Sequence, residues 1–177
     1  MEKEQQKKTI EALLFLSEEP VNADKIATVL SVSPEEADLL VVELQKDLSA
    51  ACRGLQVFKI AGGYQMGTLP ELAPNLGKAF SEDISSNLSV AALEALAIIA
   101  YKQPVTRIEI ESIRGVRSEH VLENLIKRKL IRVSGRKEGP GRPLLYSSTA
   151  DFLKYFGLMN LEDLPPLEDE LREEFTE

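Results

Sequence analysis

The sequence predicts an α+β protein, mainly α with small β-hairpins, in which a unit of about 80 residues occurs twice and an acidic stretch follows. Three observations predict it. Ile10-Glu11-Ala12-Leu13 is echoed by Leu93-Glu94-Ala95-Leu96, and Pro20-Val21 by Pro104-Val105, at nearly the same offset. In each copy, apolar residues at helical spacing give way to residues that alternate with period two. Residues 161–177 carry eight acids and one base, most of the net charge of -8.

In the first copy a helix is expected over residues 4–17. Asn22 is placed to cap a short helix carrying Ile26, Val29 and Leu30. Ser33-Pro34-Glu35-Glu36 is a strong start for a third helix: Ser33 caps, Pro34 suits the first turn and Glu36 completes a capping box. Ala37, Leu40, Val41, Leu44 and Leu48 then form its buried face. Beyond Arg53-Gly54, Leu55-Gln56-Val57-Phe58-Lys59-Ile60 alternates as a half-buried strand does. Gly62-Gly63 is the hairpin signal, Tyr64 to Thr68 the return strand, and Leu69 to Phe80 holds a short closing helix.

The second copy repeats the order. Ser89 caps a helix that runs to Lys102, and Thr106-Arg107-Ile108-Glu109 is a capping box opening a short helix that Gly115 ends. Ser118 starts a third helix with Val121, Leu122, Leu125 and Ile126 on its apolar face. Leu130 to Gly135 and Pro143 to Ser148 are strands joined by a loop at Glu138-Gly139-Pro140-Gly141, and residues 149–157 form a last helix. Three helices and a two-stranded hairpin are the winged-helix variant of the helix-turn-helix. The expected organisation is two tandem winged-helix domains, at 1–80 and 89–158, with a polar linker at 81–88 and a flexible acidic tail at 159–177.

Composition removes several functional classes. Of the 177 residues 44% are hydrophobic and 28% charged, an ordinary globular balance. One Cys and one His build neither an intramolecular disulfide nor a zinc site of the usual ligands. The longest apolar run, Ala95 to Tyr101, is far short of the ~20 residues that cross a bilayer. The N-terminus does not read as a signal peptide, so a cytoplasmic protein is expected. No phosphate-binding glycine loop, nucleophile elbow or His-Glu-x-x-His motif is present, and no catalytic residue, metal ligand or cofactor is expected. Cys52 reads as a small helix-end residue, His120 as a surface residue, and Glu11 and Glu94 as contacts within their own domains.

A winged helix invites the thought of DNA, because its third helix enters the major groove in many such domains. Phosphates demand Lys and Arg there. The first copy offers Glu35, Glu36, Asp38 and Glu43 on that helix, and the second offers Glu119 and Glu123 beside Asn124. The stronger basic feature is the second wing, where Arg132, Arg136, Lys137 and Arg142 surround Gly139-Pro140-Gly141. It reads either as a tight hairpin with solvated charges or as a rigid rim that grips an acidic peptide or a phosphate backbone. A second surplus is apolar. Ala12 to Leu16 and Leu96 to Tyr101 each cover more than a full turn, although a helix at the border of such a domain buries one stripe. Some of this surface faces the other domain or another chain.

The chain resembles the segregation and condensation protein B (ScpB) family, accessory subunits of the bacterial SMC–kleisin condensin complex. The resemblance runs from about residue 9 to 158. It is carried by Glu11-Ala12-Leu13-Leu14-Phe15, Ser17-Glu18-Glu19-Pro20-Val21 and Ala61-Gly62-Gly63-Tyr64 in the first copy. In the second it is carried by Leu88-Ser89, Leu93 to Thr106, Ile113-Arg114-Gly115-Val116, Gly135-Arg136 and Pro140 to Tyr146. The resemblance implies a non-enzymatic homodimer, paired mainly through its N-terminal domains. It implies binding of the central segment of the kleisin ScpA, largely on the C-terminal domain, and contact with SMC through the kleisin. It also implies a nucleoid-associated role in chromosome condensation and segregation during cell division, with direct DNA binding weak or absent. The alternative is a winged-helix transcription regulator. On this reading Ile98, Tyr101 and Tyr146 are candidate kleisin anchors, with Arg136 and Arg142 as the polar rim, although isoleucine is more often core than interface. Phe15, Tyr64 and Met66, on the first helix and hairpin, are the candidate dimer contacts.

Overall fold

The computed structural model describes residues 2–79 and 88–167. They form an α+β chain of eight α-helices and two small antiparallel sheets. The chain divides into two compact units, Met1–Ser85 with Gly157–Asn160, and Ser86–Phe156 with Leu161–Glu177. The linker expected at 81–88 lies, except for Leu88, outside the described residues.

In the first unit α1 (Lys3–Leu16), α2 (Ala23–Leu30) and α3 (Pro34–Ala50) precede a hairpin of β1 (Leu55–Ile60) and β2 (Gly63–Thr68). A 3-10 turn at Pro70–Leu72 and the one-turn α4 (Ala73–Leu76) close it. Asn22 accepts from the Lys25 N–H and Ser33 from the Glu36 N–H, so both helix starts lie where the sequence puts them. Ile10 and Leu14 of α1, Ile26 and Leu30 of α2, and the Ala37-Leu40-Val41-Leu44-Leu48 face of α3 meet Val57 and Tyr64 of the hairpin in one core. Each fully buried aliphatic side chain there contributes roughly 1.5–3 kcal/mol of transfer free energy.

The hairpin turns one residue earlier than Gly62-Gly63. Ile60 pairs with Gly63, and Ala61 (φ 47) and Gly62 (φ 77) form the turn. Gly63 is needed inside the strand instead. Val21 and Tyr64 exchange two backbone hydrogen bonds at 2.8 and 2.9 Å, and a Cβ on Gly63 would stand 2.8 Å from the Val21 carbonyl. The turn is completed from far along the chain: the Ala61 N–H donates to the Leu158 carbonyl (2.8 Å) and the Gly62 N–H to that of Met159 (3.0 Å). Within the stretch expected as a flexible acidic tail from residue 159, two carbonyls accept hydrogen bonds, that of Met159 from the Gly62 N–H and that of Pro165 from the Tyr101 hydroxyl. Residues 168–177 lie outside the described residues.

The second unit runs α5 (Val90–Lys102), β3 (Val105–Thr106), α6 (Arg107–Arg114), α7 (Glu119–Lys127), β4 (Ile131–Arg136), β5 (Leu144–Ser148) and α8 (Ala150–Phe156). The strand order is β3-β5-β4, all antiparallel. Strand β3, two residues long, is too short to leave a period in the sequence. The predicted capping box at Thr106–Glu109 forms in full, and Gly115 (φ 69) ends α6. Ser118 stands at the start of α7 without capping it; its hydroxyl donates to the Val116 carbonyl and accepts from Arg114. Leu96, Ile99, Ile110, Leu125 and Ile131 fill the core with Phe152. Among the described residues no helix is long and apolar enough to cross a membrane.

Candidate partner-binding surfaces

The β4–β5 hairpin of the second unit carries a braced loop. Strands β4 and β5 lose register between Val133 and Gly135, which bends the hairpin. Beyond Arg136 the Lys137 N–H donates to the Pro143 carbonyl (2.9 Å) and the Arg142 N–H to that of Gly139 (3.2 Å). Gly139 (φ 120) and Gly141 (φ 74) take the positive angles this closure requires, and Arg142 (φ 39) follows them. Arg136 Nη1 donates to the Arg142 carbonyl at 3.2 Å, so the two predicted rim arginines meet. Arg136 is thereby a brace, while the exposed Arg142 guanidinium has no acidic partner among the described residues. Lys137 Nζ reaches Glu109 Oε1 at 2.6 Å and ties this loop to the start of α6. The Lys137 ammonium, the Thr106 N–H and the Thr106 hydroxyl together hold the Glu109 carboxyl down at about 2.

The predicted apolar anchors separate. Ile98 is 4% exposed and belongs to the core of its unit. Tyr146 is 8% exposed, on the core side of β5 opposite Val133. Both are corrected as surface anchors, because each faces the interior of its own domain. Tyr101, one turn past Ile98 on α5, is half-buried, and its hydroxyl donates to the Pro165 carbonyl at 2.6 Å.

In the first unit Phe15 is 73% exposed at the end of α1, with Leu16 beside it at 78%. Met66 is half-buried and packs against the core. Tyr64 is corrected as a dimer contact: it is 4% exposed and its hydroxyl donates to Asp38 Oδ1 at 2.7 Å. Burial first, then Asp38, pushes its phenol up to about 12. The acids of α3 stay in place, with Glu43 accepting from Lys3 Nζ at 2.7 Å and Glu35 lowered by hydrogen bonds from its own backbone and Ser33.

A buried charge that the residue reading missed sits between the second unit's helices. The Arg114 side chain is 4% exposed; it donates to Glu94 Oε2 (Nη2, 3.1 Å) and to Ser118 Oγ (2.7 Å), while the Ser118 N–H donates to Glu111 Oε1 (2.8 Å). This network joins α5, α6 and the start of α7. Glu94 is thus a contact within its domain, as expected; the available signal for its partner was Arg114 directly before the helix-ending Gly115. Among the described residues no group of His, Cys, Asp or Glu is arranged to hold a metal ion.

A family model described as "Segregation and condensation complex subunit ScpB" matches residues 8–167. Segregation and condensation protein B of Moorella thermoacetica is 51% identical over 160 residues, 90% of this chain and 82% of the relative. That of Symbiobacterium thermophilum is 50% identical over 162 residues, 92% of this chain and 74% of the relative. Among solved structures, "Crystal Structure of ScpB from Mycobacterium tuberculosis" is 29% identical and covers 89% of this chain and 98% of its own, with a TM-score of 0.44. "Crystal structure of dimer of ScpB N-terminal domain complexed with ScpA peptide" is 38% identical over 43% of this chain and 95% of its own, with a TM-score of 0.41. The chain belongs to the ScpB family of segregation and condensation complex subunits.

Proposed function

We propose that the chain is a dimeric, non-enzymatic accessory subunit of an SMC condensin complex. It binds the central segment of the kleisin ScpA, reaches SMC through it, and acts at the nucleoid in the cytoplasm in chromosome condensation and segregation. Its two units are winged-helix domains: residues 1–80 dimerise, 81–88 link, and 89–158 bind the kleisin. Residues 159–177 are the acidic tail. The observation that carries this reading is the family match over 8–167 to subunits of a segregation and condensation complex. The surfaces support it. Phe15 and Leu16 offer exposed apolar area for a second copy. Arg142, held out on a loop that Arg136 braces, offers a bidentate donor to an acidic or carbonyl-rich segment. Tyr101 supplies the remaining anchor.

Direct DNA binding is weak or absent on this reading, because the third helix of the first domain presents Glu35, Glu36 and Glu43 where phosphates would lie. Light-scattering mass across a gel-filtration peak, with and without purified kleisin, tests the proposal. The expected mass alone is twice 19.6 kDa, shifting to a stable heavier complex with the kleisin. A dimer indifferent to the kleisin removes the main claim, and tight binding to random duplex DNA near physiological salt would favour the regulator instead.

A further inference from the structure

The Tyr101 hydroxyl is already engaged by this chain's own backbone, at Pro165. Gly157–Asn160 belong to the first unit, whereas 161–167 belong to the second. There Leu161–Asp163 forms a 3-10 turn, closed by the Leu164 N–H on the Leu161 carbonyl at 3.2 Å. Leu164 and Leu167 are half-buried, and between them the Pro165 carbonyl accepts the Tyr101 hydroxyl.

We propose that Leu164-Pro165-Pro166-Leu167 is a resident ligand of the Tyr101 surface, a strap that a kleisin segment must displace. The inference rests on the kleisin reading above and gives that site its regulation. Three features make the strap exchangeable. Tyr101 holds it through a backbone carbonyl, which any extended peptide offers, so a partner segment takes the place without a matching side chain. Two successive prolines keep the strap extended at little entropic cost and remove two N–H groups that would otherwise need partners. Its only large apolar side chains, Leu164 and Leu167, are half-buried and not sunk in the core, a small area beside a whole partner segment. The strap also describes what the surface accepts: an extended, leucine- and proline-bearing segment with a carbonyl at the Tyr101 position. In this chain the acids Glu168-Asp169-Glu170 follow directly, the charge that would suit Arg142 in a partner.

The test compares the full chain with its Leu164→Ser/Leu167→Ser double variant in calorimetric titrations with a peptide spanning the central kleisin segment. Apparent affinity scales with the fraction of sites that are open, so the variant should bind about three- to ten-fold tighter. Equal affinities in two chains that both bind overturn the strap. Amide hydrogen exchange of each chain alone gives a second readout that needs no kleisin. Loss of the strap should speed exchange at the C-terminal turn of α5 several-fold while the other core amides hold. Unchanged exchange at that turn overturns the inference. If neither chain binds the peptide but exchange at the turn does speed, the strap stands as a self-contact and it is the kleisin reading that fails.

Discussion

One oxygen of Glu109 lies 2.6 Å from Lys137 Nζ while the other accepts from the Thr106 N–H and Thr106 Oγ1, both at 2.7 Å. A single carboxylate thus starts α6 and holds the loop between β4 and β5. Its folded value of about 2 lies below the ordinary 4.5, so the stability it adds is fully present above about pH 4.5 and is lost as the pH falls toward 2. The side chain is 41% exposed, so the effect is modest and weakens in salt. Urea midpoints taken from pH 5 to pH 2 should fall more steeply for the native chain than for Glu109→Gln. Parallel curves would show that the carboxylate does not matter to folding.

Gly63→Ala should destabilise the first unit by about 1–3 kcal/mol, because the added methyl would stand 2.8 Å from the backbone of Val21. Gly135→Ala is the control, since nothing lies within 4 Å of a Cβ there. Denaturant unfolding followed by circular dichroism separates them, and equal midpoints would mean that the Val21–Tyr64 bridge yields freely.

Phe15 and Tyr64 should part company. Phe15→Ser removes an exposed ring, so the proposed dimer should dissociate at lower dilution with little change in the fold. Tyr64→Phe deletes a buried hydroxyl and orphans one bond of Asp38, costing about 1 kcal/mol of stability without altering the mass. Sedimentation velocity over a concentration series, paired with urea unfolding, reads both. A Phe15→Ser chain as tightly dimeric as the native one would move the interface elsewhere.

Arg142→Glu should weaken kleisin binding at least about ten-fold while leaving the thermal midpoint unchanged, since the side chain is exposed and its backbone carbonyl still meets Arg136. Ile98→Ala should do the reverse of a surface change, costing about 2–4 kcal/mol of folding stability. Titration calorimetry and a melt of each variant decide; unchanged affinity in Arg142→Glu removes the β4–β5 loop from the proposed interface.

Where local chemistry decides, the sequence was legible. Asn22, Ser33 and the Thr106–Glu109 pair cap helices because a short polar side chain before an apolar period has few other uses. The arginine-bearing loop between β4 and β5 was legible for the same reason: glycines and a proline between alternating strands leave little but a tight loop. What the sequence hid depends on distant partners. Tyr64 looks like a surface aromatic until Asp38 is seen to receive its hydroxyl. Ile98 and Tyr101 share one apolar run, and only the packing of α5 sends one inward and leaves the other half-buried. The hairpin turn moved by one residue because Val21 needs a neighbour without a side chain, a demand made some forty residues away.

The bonds from Ala61 and Gly62 to Leu158 and Met159 set an order on synthesis. A ribosome adds roughly 5–20 residues per second, so the turn of the first unit waits several seconds for the residues that finish it. Until then two backbone donors must be satisfied by water, and the half-made unit is the form that nascent-chain chaperones and proteases meet.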